Sequence, residues 1–227
     1  MRGDCEEAVD KLISSFPSEP LDDLKPAIRV CQREGIAYQV DQSKPIRYGE
    51  EYFQRYVGYK GGAISTAVHA SRVALCRKYH CRTLQDWGIG SGEFLEAWIG
   101  EGRTAQGYDI NPLAIRWLNE RALFSPYLTG CDGVCFWDSL EHVPNPSCLL
   151  RGLVPGQYAF VSLPVIGDLR DIRTWRHRRD NEHMTYWTSD GIVGFAELCG
   201  LQFVEANDAE HQAGRTVDIR TFVFRKK

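Results

Sequence analysis

Asp86-Trp87-Gly88-Ile89-Gly90-Ser91-Gly92 is the stretch on which the fold turns. It ends a short apolar strand candidate, Thr83 to Trp87, and precedes a helix candidate in which Phe94, Leu95, Trp98 and Ile99 recur at helical spacing. Glycine removes the side chain that would keep a ligand from the backbone, and a helix start leaves amide donors unpaired. A strand-to-helix turn of this composition can hold a polar ligand, although tight packing alone is the other use of such glycines.

Outward from this loop, Asp109 closes the next strand candidate in Gly107-Tyr108-Asp109, nineteen positions beyond Gly90, with Ile110 beside it. An acid there can accept both hydroxyls of a ribose, which points to an adenosine-bearing cofactor. The dinucleotide pattern G-x-G-x-x-G needs a third glycine at position 93, where this chain has Glu93, so a nicotinamide or flavin enzyme is disfavoured. Further strand candidates are Thr104 to Asp109, Gly133 to Asp138, Tyr158 to Pro164, Leu201 to Ala206 and Val217 to Arg225. Helix signals separate most of them, including Asn111-Pro112 as N-cap and first helical residue and Thr188 or Ser189 ahead of a helix ending at Gly200. Alternation of this kind predicts an α/β fold, a mostly parallel sheet covered by helices. The last two strands, with no helix expected between them, read as an antiparallel edge.

These residues resemble the class I S-adenosylmethionine-dependent methyltransferases, whose first motif is D-x-G-x-G-x-G. The match from Asp86 to Gly92 is complete. Asp138-Ser139-Leu140-Glu141-His142-Val143-Pro144 is similar to the turn D-x-LEHVP of many small-molecule members. Leu153-Val154-Pro155-Gly156 resembles their turn into the fifth strand, and His183, Tyr186 and Trp187 followed by Cys199-Gly200-Leu201-Gln202-Phe203 resemble their ending. The resemblance, from about Tyr48 to Lys227, implies a Rossmann-like fold, S-adenosylmethionine as cofactor and S-adenosylhomocysteine as product. It gives Asp86, Gly88, Gly90 and Gly92 to the methionine part and ribose, Asp109 with Ile110 to the ribose diol, and Asp138 to the strand end nearest the methyl. The family usually fits a helix, a third strand, an adenine-contacting loop and another helix between Asp109 and Asp132. Here about two dozen positions must suffice, so no adenine-binding residue is transferred.

The first 45 residues read as a helical cap with two short helices from Cys5 to about Gly35, broken at Phe16 to Pro20, ahead of a catalytic domain from 46 to 227. Tyr48, Tyr52 and Tyr56 recur at a spacing of four, which aligns them on one helical face. The resemblance lets them close over the cofactor, and packing onto the sheet is the alternative. A second helix is expected from about Ala63 to Tyr79. His69, His80 and His211 read as surface or helix residues.

Methyl transfer from a sulfonium is an in-line displacement, so positioning carries much of the acceleration and a base is needed only for a protonated acceptor. Asp138, His142, His177 and His183 are the candidate catalytic residues; a helix-start histidine bonded to backbone is the stronger reading of His142, and an anion at a helix N-terminus that of Glu141. Gly167 to Trp187 carries Arg170, Arg173, Arg176, Arg178 and Arg179 beside aromatic rings. Trp175, Arg176, Arg178, His183 and Tyr186 are therefore candidate acceptor-binding residues for an anion or a stacked nucleotide base. Asp168, Asp171, Asp180 and Glu182 nearly balance the arginines, so a solvated, ion-paired loop stands beside that reading. Arg215 can pair with Glu210.

Composition limits the partners. With 43% hydrophobic and 25% charged residues over 227 positions, the chain suits one sizeable core rather than disorder. No run approaches the ~20 apolar residues of a membrane span, and Met1 to Asp10 carries four acids instead of a signal sequence, so a cytoplasmic protein is expected. A net charge of −3 argues against coating nucleic acid. Free thiols are expected for the eight cysteines, and neither Cys76 with Cys81 nor Cys131 with Cys135 has zinc-ribbon spacing, so no metal is expected. The acceptor is expected to be a small polar molecule, anionic ones included. A nucleotide or nucleic acid is the alternative acceptor, and a non-catalytic cofactor-binding subunit the alternative of another class.

Overall fold

The structure is a computed structural model that describes residues 10–40 and 48–227. In chain order it holds α1 (Lys11–Ser14), β1 (Glu19–Leu21), β2 (Ile28–Cys31), β3 (Ile36–Gln39), α2 (Glu50–Tyr59), α3 (Ala63–Lys78), β4 (Thr83–Trp87), α4 (Glu93–Gly100), β5 (Thr104–Tyr108) and α5 (Pro112–Glu120). Then follow β6 (Gly133–Trp137), α6 (Pro146–Arg151), β7 (Tyr158–Pro164), β8 (Thr185–Trp187), α7 (Ser189–Leu198), β9 (Leu201–Asn207), α8 (Ala209–Gln212) and β10 (Ile219–Lys226).

The main sheet runs β5-β4-β6-β7-β10-β9, parallel from β5 to β7, with β10 antiparallel to both neighbours. Both faces of its central strands are covered, as a parallel sheet requires. Along β6, Val134 and Phe136 join one core with Phe195, Phe222 and Phe224, whereas Cys135 and Trp137 join the opposite core with Phe94, Leu95 and Trp98. The period of two in a strand decides which residue goes to which core. Beyond α5 the shortened middle region supplies one isolated parallel bridge, Gly107 to Phe124, where the resemblance leads to expect a third strand. Gln85 secures it by donating from Nε2 to the Ser125 carbonyl at 2.8 Å.

The N-terminal stretch departs from the expected two helices. Residues Cys5 to Val9 lie outside the described residues, and beyond Asp10 there is a single turn of helix followed by β1, β2 and β3. These pair antiparallel with one another and, through β3, with β8 in the order β1-β2-β3-β8. Ile28, Val30, Ile36 and Ala37 are buried there; runs this short do not distinguish strand from helix, and burial against β8 decides for strand. The β2–β3 turn sits close on α7: a Cβ at Gly191 would lie 2.1 Å from the Gly35 carbonyl oxygen. The proposed boundary at residue 45 falls within positions 41–47, outside the described residues.

Two smaller expectations also change. The four-residue α8 separates β9 from β10, because Glu210 on it reaches into an ion-pair network described below. Cys148 on α6 is disulfide-bonded, whereas Cys31, Cys76, Cys81, Cys131, Cys135 and Cys199 are free. The α6 start is drawn to the N-terminal segment by Asp10, which accepts from Ser147 N at 2.7 Å and Ser147 Oγ at 2.9 Å. Among the described residues no helix is long and apolar enough to cross a membrane.

Candidate active site

The carboxyl ends of β4, β5 and β6 open into a cavity of about 590 Å³, roofed by α2 and walled by α3. Strand ends are where open α/β sheets hold ligands. The glycine loop enters it with left-handed backbone at Gly88, Gly90 and Gly92, φ of +92°, +55° and +76°. A Cβ at Gly88 would lie 2.6 Å from Ser139 Cβ, so any larger residue would drive the loop into the turn after β6. Gly88 and Gly90 line the cavity and Gly92 does not. A Cβ at Gly92 would meet Trp117 at 2.7 Å, so its glycine serves the packing of α4 against α5 rather than a ligand.

Two acids stand on either side of the loop. Asp86 is 1% exposed, and its Oδ1 is buried without a hydrogen-bond partner in the cavity wall. Burial pushes its carboxyl well above the ordinary range, against the pull of Arg72. Asp109 accepts from Asn111 N at 2.8 Å and from Gly90 N at 3.3 Å, which ties β5 to the glycine loop. Burial raises this carboxyl too, and those backbone donors oppose the rise. Each carboxylate oxygen keeps a lone pair for a ligand hydroxyl. Ile110, 61% exposed, forms the adjoining lip.

Asp138, also at φ +54°, follows β6 inside a network of two cations and two anions, of which Arg72 and Glu210 are buried and Asp138 and Arg215 are partly exposed. Arg72 Nη2 donates to Asp138 Oδ2 at 2.9 Å and Arg72 Nε to Glu210 Oε1 at 2.7 Å. Arg215 Nη1 donates to Asp138 Oδ2 at 2.8 Å and to Glu210 Oε2 at 2.6 Å. Burial alone would raise the Asp138 carboxyl, yet Arg215 and Arg72 hold it far below the usual range. Asp138 is thus held as an anion and made a weaker base than an ordinary carboxylate, which corrects its reading as a base. Its part is to order the strand end on the cavity wall.

Tyr48 and Tyr52 meet edge to face with ring centroids 4.8 Å apart, and both line the cavity; the Tyr56 side chain lies outside the described residues. Tyr48 Oη is 3.2 Å from His142 Nδ1, and Tyr52 Oη donates to Glu182 Oε1 at 3.1 Å, fastening α2 to the turn after β6 and to the segment before β8. His142 also lines the cavity, and burial lowers its pKa. The remaining histidine candidates do not line it. His183 is 8% exposed behind His142, its pKa driven to about 2 chiefly by burial. His177 stands 3.3 Å from Asp218 and serves the loop.

That arginine-rich loop takes its ion-paired form. Arg170 pairs with Asp168, Arg173 with Asp23, Arg176 with Asp218 and Arg178 with Asp180. Trp175 packs on Tyr186 at 6.1 Å, and Tyr186 is 1% exposed in the core under β2 and β3, its hydroxyl accepting from Gln39 Nε2 at 3.0 Å. Trp175, Arg176, Arg178, His183 and Tyr186 thus stand outside the cavity, which corrects their placement as acceptor-binding residues. Nearby acids thus engage four of the loop's five arginines.

Sequence reasoning missed the α3 wall. Val68, His69 and Arg72 stand three, four and seven positions after Ser65, so a single helical face presents them all to the cavity. Burial and Arg72 lower the His69 pKa to about 4. The signal was a basic residue and a histidine on an otherwise apolar face; the pairing of Arg215 with Glu210 was legible.

The chain belongs to the methyltransferase domain family, whose model matches residues 77–206. Among solved structures it is similar to a Pyrococcus horikoshii protein, with 17% identity, a TM-score of 0.57 and coverage of 78% of this chain and 99% of that one. A chain of the Haloferax volcanii complex between the Trm112 methyltransferase activator and a methyltransferase has 18% identity and a TM-score of 0.56, over 79% and 98% of the two chains. The Burkholderia thailandensis 1,6-didemethyltoxoflavin-N1-methyltransferase, bound to its acceptor and S-adenosylhomocysteine, has 15% identity and a TM-score of 0.53, over 85% and 96%. No curated protein matches the chain by sequence.

The chain is an S-adenosylmethionine-dependent methyltransferase with a Rossmann-like fold. Its residues fit that cofactor: Asp86 Oδ1, Trp137 Nε1 and Ser139 Oγ are buried on the cavity wall without partners, and Gly88 and Gly90 bring side-chain-free backbone to its edge. Buried polar atoms left unpaired cost about 1–3 kcal/mol each unless a ligand meets them. The cofactor, once bound, supplies an electrophilic methyl group on sulfur.

Proposed function

We propose that the chain methylates an oxygen or nitrogen of a small polar acceptor held in the cavity between Asp138 and the α2 roof. The cofactor lies against the β4 loop, with Asp86 toward its ammonium and Asp109 on the ribose hydroxyls. Tyr48, Tyr52 and His142 then face the acceptor, and the methyl passes along the line from sulfur to it.

The observation that carries this reading is the cavity wall itself. Aromatic rings of α2 and strand-end residues close around the space, while the arginines that would grip a polyanion are ion-paired outside it. The Burkholderia thailandensis enzyme of similar fold binds both 1,6-didemethyltoxoflavin and S-adenosylhomocysteine. Transfer of labelled methyl from S-adenosylmethionine to a panel of small phenols, amines, carboxylates and nucleotides, with RNA and DNA alongside, tests it. Turnover on a small acceptor supports the reading; incorporation confined to RNA or DNA overturns it.

A further inference from the structure

Behind the cavity wall three side chains converge, two of them with a buried polar atom that has no hydrogen-bond partner. Glu141 and His142 lie on the turn that follows β6, and His183 on the segment entering β8. One ligand-capable atom from each lies within 4.8 Å of the others. Glu141 is 2% and His183 8% exposed. Glu141 Oε2 and His183 Nδ1 are both buried with no hydrogen-bond partner. Two such atoms side by side are uncommon in a settled interior, where buried polar groups are almost always satisfied.

The tautomer of His142 sharpens the point. Its Nδ1 lies 3.1 Å from the Glu182 carbonyl oxygen, which can only accept, and 3.2 Å from Tyr48 Oη, which can donate or accept; the tautomer that satisfies the carbonyl carries its proton on Nδ1 and leaves the lone pair on Nε2. In that tautomer the lone pair lies 4.0 Å from Glu141 Oε1, too far for a hydrogen bond between them. A hydrogen bond from one imidazole nitrogen to a backbone carbonyl is also how proteins orient a metal-ligating histidine. The segments carrying the three groups are fastened: Met184 N donates to the Glu141 carbonyl at 2.7 Å, and Gln39 Nε2 to the His183 carbonyl at 2.7 Å.

We propose that Glu141, His142 and His183 form a binding site for one divalent transition-metal ion of the zinc class at the rear of the methyl-transfer cavity. Two imidazoles and one carboxylate suit Zn²⁺ or Co²⁺ and not Ca²⁺ or Mg²⁺, which favour oxygen ligands. With metal–ligand bonds of about 2.0–2.2 Å, the three atoms need draw together by roughly 1 Å. The ion meets two neutral imidazoles and one carboxylate, and the neighbouring Arg72, Arg215, Asp138 and Glu210 cancel in charge, so no net cationic field opposes it. Since His142 also lines the cavity, an ion there stands next to the space proposed for the acceptor. The site rests on these three side chains and not on the acceptor's identity.

The test uses full-length protein freed of metal by chelator and dialysis, titrated with Co²⁺ and Zn²⁺ in the absence of cofactor and acceptor. One equivalent of Co²⁺ giving the intense visible bands of a four- or five-coordinate nitrogen and oxygen site, displaced by Zn²⁺ and abolished by chelator, is expected. Glu141→Gln and His183→Gln should each weaken binding at least tenfold, while His80→Asn, at an exposed histidine, leaves it unchanged. Retained binding of S-adenosylhomocysteine by the variants shows that they are folded. If either is misfolded, the cobalt spectrum of the unaltered protein decides. Absence of the bands, a spectrum of octahedral hydrated Co²⁺, or equal affinity in folded Glu141→Gln and His80→Asn overturns the site.

Discussion

Arg215 grips Asp138 through two parallel hydrogen bonds, Nη1 to Oδ2 at 2.8 Å and Nη2 to Oδ1 at 2.9 Å, joining the turn before β10 to the end of β6. The same guanidinium reaches Glu210, and Arg72 repeats the double engagement from α3. Planar, bidentate pairing of this kind is specific to arginine. Arg215→Met should therefore destabilise the fold by about 1–3 kcal/mol, since it leaves two carboxylates, one of them buried, to share Arg72 alone, and Arg215→Lys should recover only part of it. Urea unfolding midpoints at neutral pH measure both; an unchanged midpoint in Arg215→Met would show that the network contributes no stability.

The same network sets an acid limit. Burial raises the Glu210 carboxyl, but Arg72 and Arg215 together hold it below its ordinary value. A group depressed in the folded state stabilises the fold above its unfolded pKa, about 4.3 for Glu, and that contribution is lost as pH falls through the folded value. The gap in melting temperature between the unaltered protein and Glu210→Gln should be full at pH 7 and shrink below about pH 4. Melting curves from pH 7 to pH 3 check this, and a gap that widens in acid would reverse the assignment.

Asp109 joins the β5 end to the loop and offers oxygen to the cofactor's ribose. Asp109→Ala removes acceptors for hydroxyl donors, and bonds to a charged group contribute about 1.5–3 kcal/mol. Binding of S-adenosylhomocysteine should weaken about tenfold or more, since 1.4 kcal/mol is a factor of ten. Calorimetric titration reads the constant directly, and unchanged affinity would remove Asp109 from the ribose.

Gly88 has no room for a methyl group. Gly88→Ala places Cβ 2.6 Å from Ser139 Cβ at a φ of +92°, so contact and backbone strain act together. Cofactor binding should fall below detection at micromolar concentrations. Adding Ser139→Gly should restore little, because the strained φ remains; full rescue would mean that the contact with Ser139 was the whole effect.

Arg176→Ala combined with Arg178→Ala should leave the KM for a small acceptor unchanged and confer no new salt dependence, because both arginines already pair with Asp218 and Asp180 outside the cavity. Steady-state kinetics at low and high salt test this. A KM rising several-fold would return the loop to the acceptor site.

The sequence by itself determined the sheet and the loop at its centre. The period of two in β6, the glycines after Asp86 and the Asn111-Pro112 cap are local signals, each read within a few residues. Thr83 to Trp87 and Tyr158 to Pro164 accordingly stand as strands with the bounds their residues suggested. Asp86 and Asp109 were legible for the same reason, since each ends a strand beside the loop. Only the tertiary structure decided whether Ile36 to Gln39 forms strand or helix, because that strand pairs with β8, Ile36 opposite Trp187 at the far end of the chain. It also decided that the loop arginines face acids, that Arg72 and His69 turn toward the cavity, and that Glu141, His142 and His183 meet. Those outcomes arise from charges and lone pairs brought together across the chain, and an interaction between distant residues leaves no period or spacing in either segment.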